Sequence, residues 1–235
     1  MEIFTILNNW QWLIFLLLIV SLFFVSHSTT NELFYFLRIF FKSEKTVFGL
    51  VSLIYLPGTI MHEMAHFLMA TVLIIKVREV KILPEFEENY IKLGKVLYEK
   101  KDFVRGVLIG IAPITIGLGF LWWLALVQIF PNPIWYVNIL LGYIIFSVSS
   151  TMFSSAQDLV DLVYIFPVFF FAGVIIYIFN IRIDLLFNNS NLIDEINQVF
   201  AIINSYLFLS LTLNLATMIA LRVIRKIRIK AIRQL

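Results

Sequence analysis

"TIMHEMAHFLMA", residues 59–70, lies inside a long apolar run and sets His62, Glu63 and His66 among aliphatic and aromatic neighbours. On a helix, residues four apart project from one face, so His62 and His66 can grip one metal ion through imidazole nitrogens. Glu63 is turned about 100° from His62. That sets it beside the metal, where it suits a general base acting on metal-bound water. Zinc lowers the pKa of such water toward about 7, so no strong protein base is needed. Ionisable side chains are expensive inside a membrane, and three of them this close together point to function before packing.

The surroundings are those of a membrane protein. The chain has 235 residues, 61% hydrophobic and 14% charged, against about 45–50% and about 25% in soluble domains. Several nearly uncharged runs are long enough to cross a bilayer. The expectation is an all-α polytopic membrane protein, a single integral domain over residues 1–235. The alternating pattern of a β-barrel is absent. There is no cysteine, which excludes disulfides, a thiolate metal site and a cysteine nucleophile. "MEIFTILNNW" has no basic n-region, so the first apolar run is expected to stay as an anchor.

Six spans are predicted: 10–27, 46–75, 106–129, 134–153, 157–179 and 197–221. An amphipathic piece, "NELFYFLRIFF", follows the first near the interface. The second is too long for one straight crossing, and Pro57–Gly58 is expected to bend or restart it. The polar stretch 76–105 contains "REVKIL" and "NYIKLGKVLY", which suggest short strands. Trp10, Trp12, Trp135 and Tyr136 read as interface anchors. Asn138, Asn204 and Asn214 read as glue between helices.

Charge orients the chain. Of its 18 Lys and Arg residues, eight fall in 76–105, six in the tail from Arg222, and one in 180–196. Basic short loops stay in the cytoplasm. This predicts a multi-pass protein of the plasma membrane with both termini and the 76–105 loop inside. One feature runs against it: the first loop would be external, yet carries Arg38, Lys42 and Lys45. The tail "RVIRKIRIKAIRQL" is expected to meet anionic lipid headgroups, not nucleic acid.

A catalytic zinc site needs a third protein ligand and an open position. The remaining histidine, His27, reads as an interfacial residue, and the acids inside the apolar spans are Glu63, Asp158 and Asp161. The third ligand is therefore expected from "SSAQDLVDL". Asp158 is the favoured ligand, with Ser154 and Ser155 to hydrogen-bond its carboxylate. Asp161, three residues on, shares that face, so either or both could approach the metal.

At this point the sequence resembles the site-2 protease family of intramembrane zinc metalloproteases. "HEMAH", the polar loop after it, "GIAPITIG" with Gly110, Ala112 and Pro113, and a later aspartate carry the likeness, over about residues 46–165. The resemblance implies a compact, diverged member without a PDZ insertion, whose catalytic core lies at 46–165 between the 10–27 anchor and a C-terminal helix and tail at 197–235. "SSAQDLVD" stands where the family has an Asn-Pro…Asp-Gly or Leu-Asp-Gly context. The implied activity is cleavage of a transmembrane helix of another membrane protein, with one Zn2+ per chain. Two other readings remain: a membrane zincin acting on lipidated C-termini, which would need a glutamate as third ligand, and a metal transporter or metal-stapled scaffold.

Overall fold

A computed structural model describes residues 10–81, 85–86, 91–92, 95–99, 102–153, 174–175, 177–179 and 190–233. The elements are α1 (Gln11–Arg38), α2 (Glu44–Ile54), α3 (Leu56–Val72), β1 (Val77–Lys81), β2 (Glu85–Phe86), β3 (Ile91–Lys92), β4 (Lys95–Tyr98), α4 (Phe103–Val127), α5 (Trp135–Thr151) and α6 (Ser190–Arg233). Among the described residues, three helices are long and apolar enough to cross a membrane: α1, the Val104–Val127 part of α4 and the Ile193–Arg228 part of α6. The pair α2–α3 passes the same test only as one broken unit, bent by 75°. Most of the span expected at 157–179 lies outside the described residues.

Helix α1 does not stop near residue 27 but runs on to Arg38 as one helix. The hydroxyls of "SHSTT", which could compete for backbone groups, bond back inside the helix here. Ser28 donates to the Phe24 carbonyl at 2.8 Å, Thr29 to Val25 at 2.8 Å and Thr30 to Ser26 at 3.0 Å.

The break before the histidine helix falls at Tyr55 (φ −93°, ψ 4°), two residues ahead of the expected Pro57. Proline is tolerated in the first turn of a helix, where its missing N–H leaves no bond unmade, so α3 begins just before it. The break separates the Ile54 carbonyl from the Gly58 N–H, which one continuous turn would pair. Helix α5 answers both from side chains four residues apart. Tyr143 donates its hydroxyl to the Ile54 carbonyl at 2.9 Å. The Ser147 hydroxyl accepts from the Gly58 N–H at 3.0 Å and donates to the Tyr55 carbonyl at 3.2 Å. Gly58 makes this approach possible, since a side chain there would collide with the Ser147 carbonyl and the Thr151 hydroxyl.

At its far end α3 closes with Ile74 in the left-handed region (φ 57°). The Ile75 N–H reaches the Ala70 carbonyl at 2.8 Å and the Ile74 N–H reaches Thr71 at 3.0 Å, the pairing of a Schellman stop. The chain then enters β1, which pairs antiparallel with β4, from Val77 opposite Tyr98 to Lys81 opposite Lys95. Strands β2 and β3 form a second antiparallel pair. Strands β1, β3 and β4 fall where "REVKIL" and "NYIKLGKVLY" suggested strands, and β2 lies between the two fragments. Asp102 then caps α4, accepting from the Arg105 N–H at 2.9 Å.

Helices α1 and α6 run parallel along their length. Phe15 meets Phe200, Thr29 donates to the Asn214 carbonyl, Glu32 pairs with Arg222 and Arg225, and Arg228 lies over Phe40. An even number of crossings requires the first and last spans to be antiparallel. Their parallel packing sets Trp10 and Arg233 at opposite ends of the pair, against the expectation that both termini share one face.

Replacing Gly58 by Ala should force α3 away from α5 and lower stability by about 1–3 kcal/mol, the range for overpacking. Gly49 has open space where its side chain would be, so Gly49→Ala should be neutral or raise stability by up to about 1 kcal/mol. Thermal unfolding of both variants in detergent checks the contrast; equal responses would remove the close α3–α5 contact.

Candidate metal centre

Helix α3 carries His62, Glu63 and His66 buried together, with Gly58, Thr59, Ala65 and Ala70 on its other buried positions. The small residues let α4 and α5 approach, and the larger titratable groups sit between them. The two imidazoles stand edge to face, 84° apart with centroids 4.8 Å apart. His66 Nε2 lies 3.2 Å from His62 Nε2.

The remaining ring nitrogen of His66, Nδ1, lies 3.0 Å from the Ile109 carbonyl oxygen on α4. A carbonyl only accepts, so Nδ1 carries a proton, and in the neutral ring Nε2 is then the acceptor that faces His62. This is the tautomer a metal-binding imidazole needs, held by the kind of partner such ligands use.

The pair fits a tetrahedral ion by distance as well. Two imidazole nitrogens on one zinc at its usual bond length stand about 3.3 Å apart, close to the separation in α3. Both rings are buried, and imidazole nitrogen is a donor that suits zinc. Beside His62, Gly58, Met61, Pro113, Val148 and Thr151 line a cleft between α3, α4 and α5 that leaves no room for a water molecule.

Among the described residues, no group of three or more His, Cys, Asp or Glu side chains is arranged to hold a metal ion. Asp158, Asp161, Ser154 and Ser155, from which the third ligand and its support were expected, lie outside the described residues. His27 is exposed on α1.

Several contributors were not legible beforehand. Tyr143, Ser147 and the Ile109 carbonyl hold the histidine helix, but nothing in their local sequence announces it. Glu32 was read outside the apolar spans; instead it is buried in α1, 3.0 Å from Arg222 Nε and 2.8 Å from an Arg225 guanidinium nitrogen. The spacing of Arg222 and Arg225, one helical turn apart, was the available signal for a shared acidic partner.

Compared with known proteins, the chain matches no family model, no curated protein and no solved structure.

Proposed function

We propose that the chain is an intramembrane zinc metalloprotease of the site-2 protease type, hydrolysing peptide bonds within or near transmembrane segments of other membrane proteins. The observation that carries this reading is the buried imidazole pair, its Nε2 atoms 3.2 Å apart and one ring fixed by the Ile109 carbonyl. His62 and His66 would hold the ion, with Asp158 as third ligand. Met152 borders the cleft beside His62. When bound, zinc polarises the scissile carbonyl and acidifies water.

The chain's own residues do the rest. Glu63, buried next to His62, takes a proton from the attacking water on a carboxylate oxygen and returns it to the leaving amide nitrogen. The cleft between α3, α4 and α5 is narrow and would have to widen before water and a peptide enter. A substrate helix hides its carbonyls in its own hydrogen bonds and must unwind first. The β1–β4 pair at the end of α3 offers a strand edge for the opened segment.

The parallel α1–α6 pair supports a different orientation within the membrane from the one charge counting predicts. The segment 76–105, the tail and the loop with Arg38, Lys42 and Lys45 all become cytoplasmic, leaving Arg182 alone outside among the Lys and Arg residues. Five crossings fit this arrangement: α1, α4, α5, the stretch 157–179 and α6. The broken α2–α3 pair then enters and leaves from the cytoplasm. Two contacts support this: Tyr55 has descended only to the level of Thr30 of α1, 3.3 Å away, while Tyr206 meets the Leu124 carbonyl toward the far end of α4. The basic tail lies at the inner leaflet and meets anionic headgroups. The membrane is the plasma membrane.

Glu63→Gln should keep roughly one zinc per chain and lose about 10²–10⁴-fold in cleavage of single-span test substrates. His62→Ala, His66→Ala and Asp158→Ala should lose the metal, and Asp161→Asn should keep it. Zinc loss in Glu63→Gln would make Glu63 a ligand and undo the role assigned to it.

Cysteines at Trp10, Lys92 and after Leu235 report the orientation by labelling with an impermeant thiol reagent. In intact cells only the Trp10→Cys protein should react. Labelling at Lys92→Cys without opening the membrane would overturn the cytoplasmic position of the site.

A further inference from the structure

The carbonyl that receives the His66 Nδ1–H belongs to Ile109, four residues before Pro113 inside α4. In an unbroken helix that carbonyl takes the N–H of the residue four positions on. Proline has none to give. The chain therefore leaves one acceptor of α4 without its helical donor, at a fully buried residue, and His66 lies 3.0 Å from that oxygen. Each group meets the other's need: a buried carbonyl left unmet is unfavourable, and a histidine that presents Nε2 needs an acceptor for Nδ1–H.

We infer that Pro113 is a positioning residue for the His62–His66 pair: by withholding its N–H it reserves the Ile109 carbonyl for His66, and so selects the tautomer whose Nε2 faces His62. Pro113 is itself buried and borders the cleft beside His62, so the proline and the imidazole it serves belong to one locality. A proline used only to bend α4 would not need its orphaned carbonyl aimed at a ring nitrogen. The role rests on reading the pair as a metal site, but the tautomer selection exists without metal.

The chain has only three histidines, so histidine labelled with nitrogen-15 in metal-free protein gives three imidazoles to read by NMR. Loss of one set in His66→Asn identifies His66. The wild-type ring should carry its proton on Nδ1. Pro113→Ala restores an N–H that competes for the Ile109 carbonyl. His66 should then shift wholly or partly to the Nε2–H form, and zinc should bind about 10- to 100-fold more weakly, while unfolding temperature holds or rises because alanine is the better helix former. Pro113→Gly, which also supplies an N–H, should give the same tautomer change and serves if the alanine variant does not fold. A wild-type His66 protonated on Nε2, or variants that keep Nδ1–H and full zinc affinity, would overturn the proposal. Failure of wild-type protein to bind zinc would instead overturn the protease reading and leave the tautomer result standing.

Discussion

Water is absent from the hydrocarbon interior, so every polar group the chain carries there must be met by another polar group of the chain. The histidine helix is where this demand is greatest, because its start is a break in backbone hydrogen bonding. Tyr143 and Ser147, one turn apart on α5, take up the carbonyls and the N–H that the break releases. On the opposite flank His66 is taken up by α4. The position of the imidazole pair thus follows from two neighbouring helices as much as from the spacing within its own.

The same demand governs the α1–α6 pair. Apolar side chains gain nothing by leaving lipid for one another, so helices in a bilayer associate through close packing and polar contacts. Asn204 donates to the Gln11 carbonyl and side chain at 2.9 Å, Ser150 donates to Asn214 at 2.9 Å, and Thr29 bonds the Asn214 backbone. Meanwhile Leu16, Leu17, Phe24, Phe208 and Ile219 point outward. An exposed apolar surface of this kind is ordinary against lipid.

What the sequence made legible was local. Spacing of four put His62 and His66 on one face, apolar runs located α4 and α5 to within a few residues, and Asn204 and Asn214 proved to join helices as expected. A break near Pro57 was foreseen, although the proline fits into the new helix and the break falls before it. What could not be read was direction in space. Counting charges along a line cannot tell whether α1 and α6 pack parallel or antiparallel. Glu32 escaped for a related reason: its partners lie about as far along the chain as they can. Asp158 and its neighbours fall where the structure describes nothing, so that part of the site rests on sequence alone.

The Glu32 contacts join residues separated by 190 and 193 positions. A ribosome delivers Glu32 to the membrane early and Arg222 and Arg225 almost at the end. Through nearly the whole of synthesis, the first helix carries a carboxylate whose counter-charges have not been made. Until they are made, that group needs water or lipid headgroups in their place, since a charge buried without a partner is strongly unfavourable. The contact between α1 and α6 can form only after nearly the whole chain has been made, and a chain cut short before Arg222 lacks both guanidinium groups that pair with Glu32.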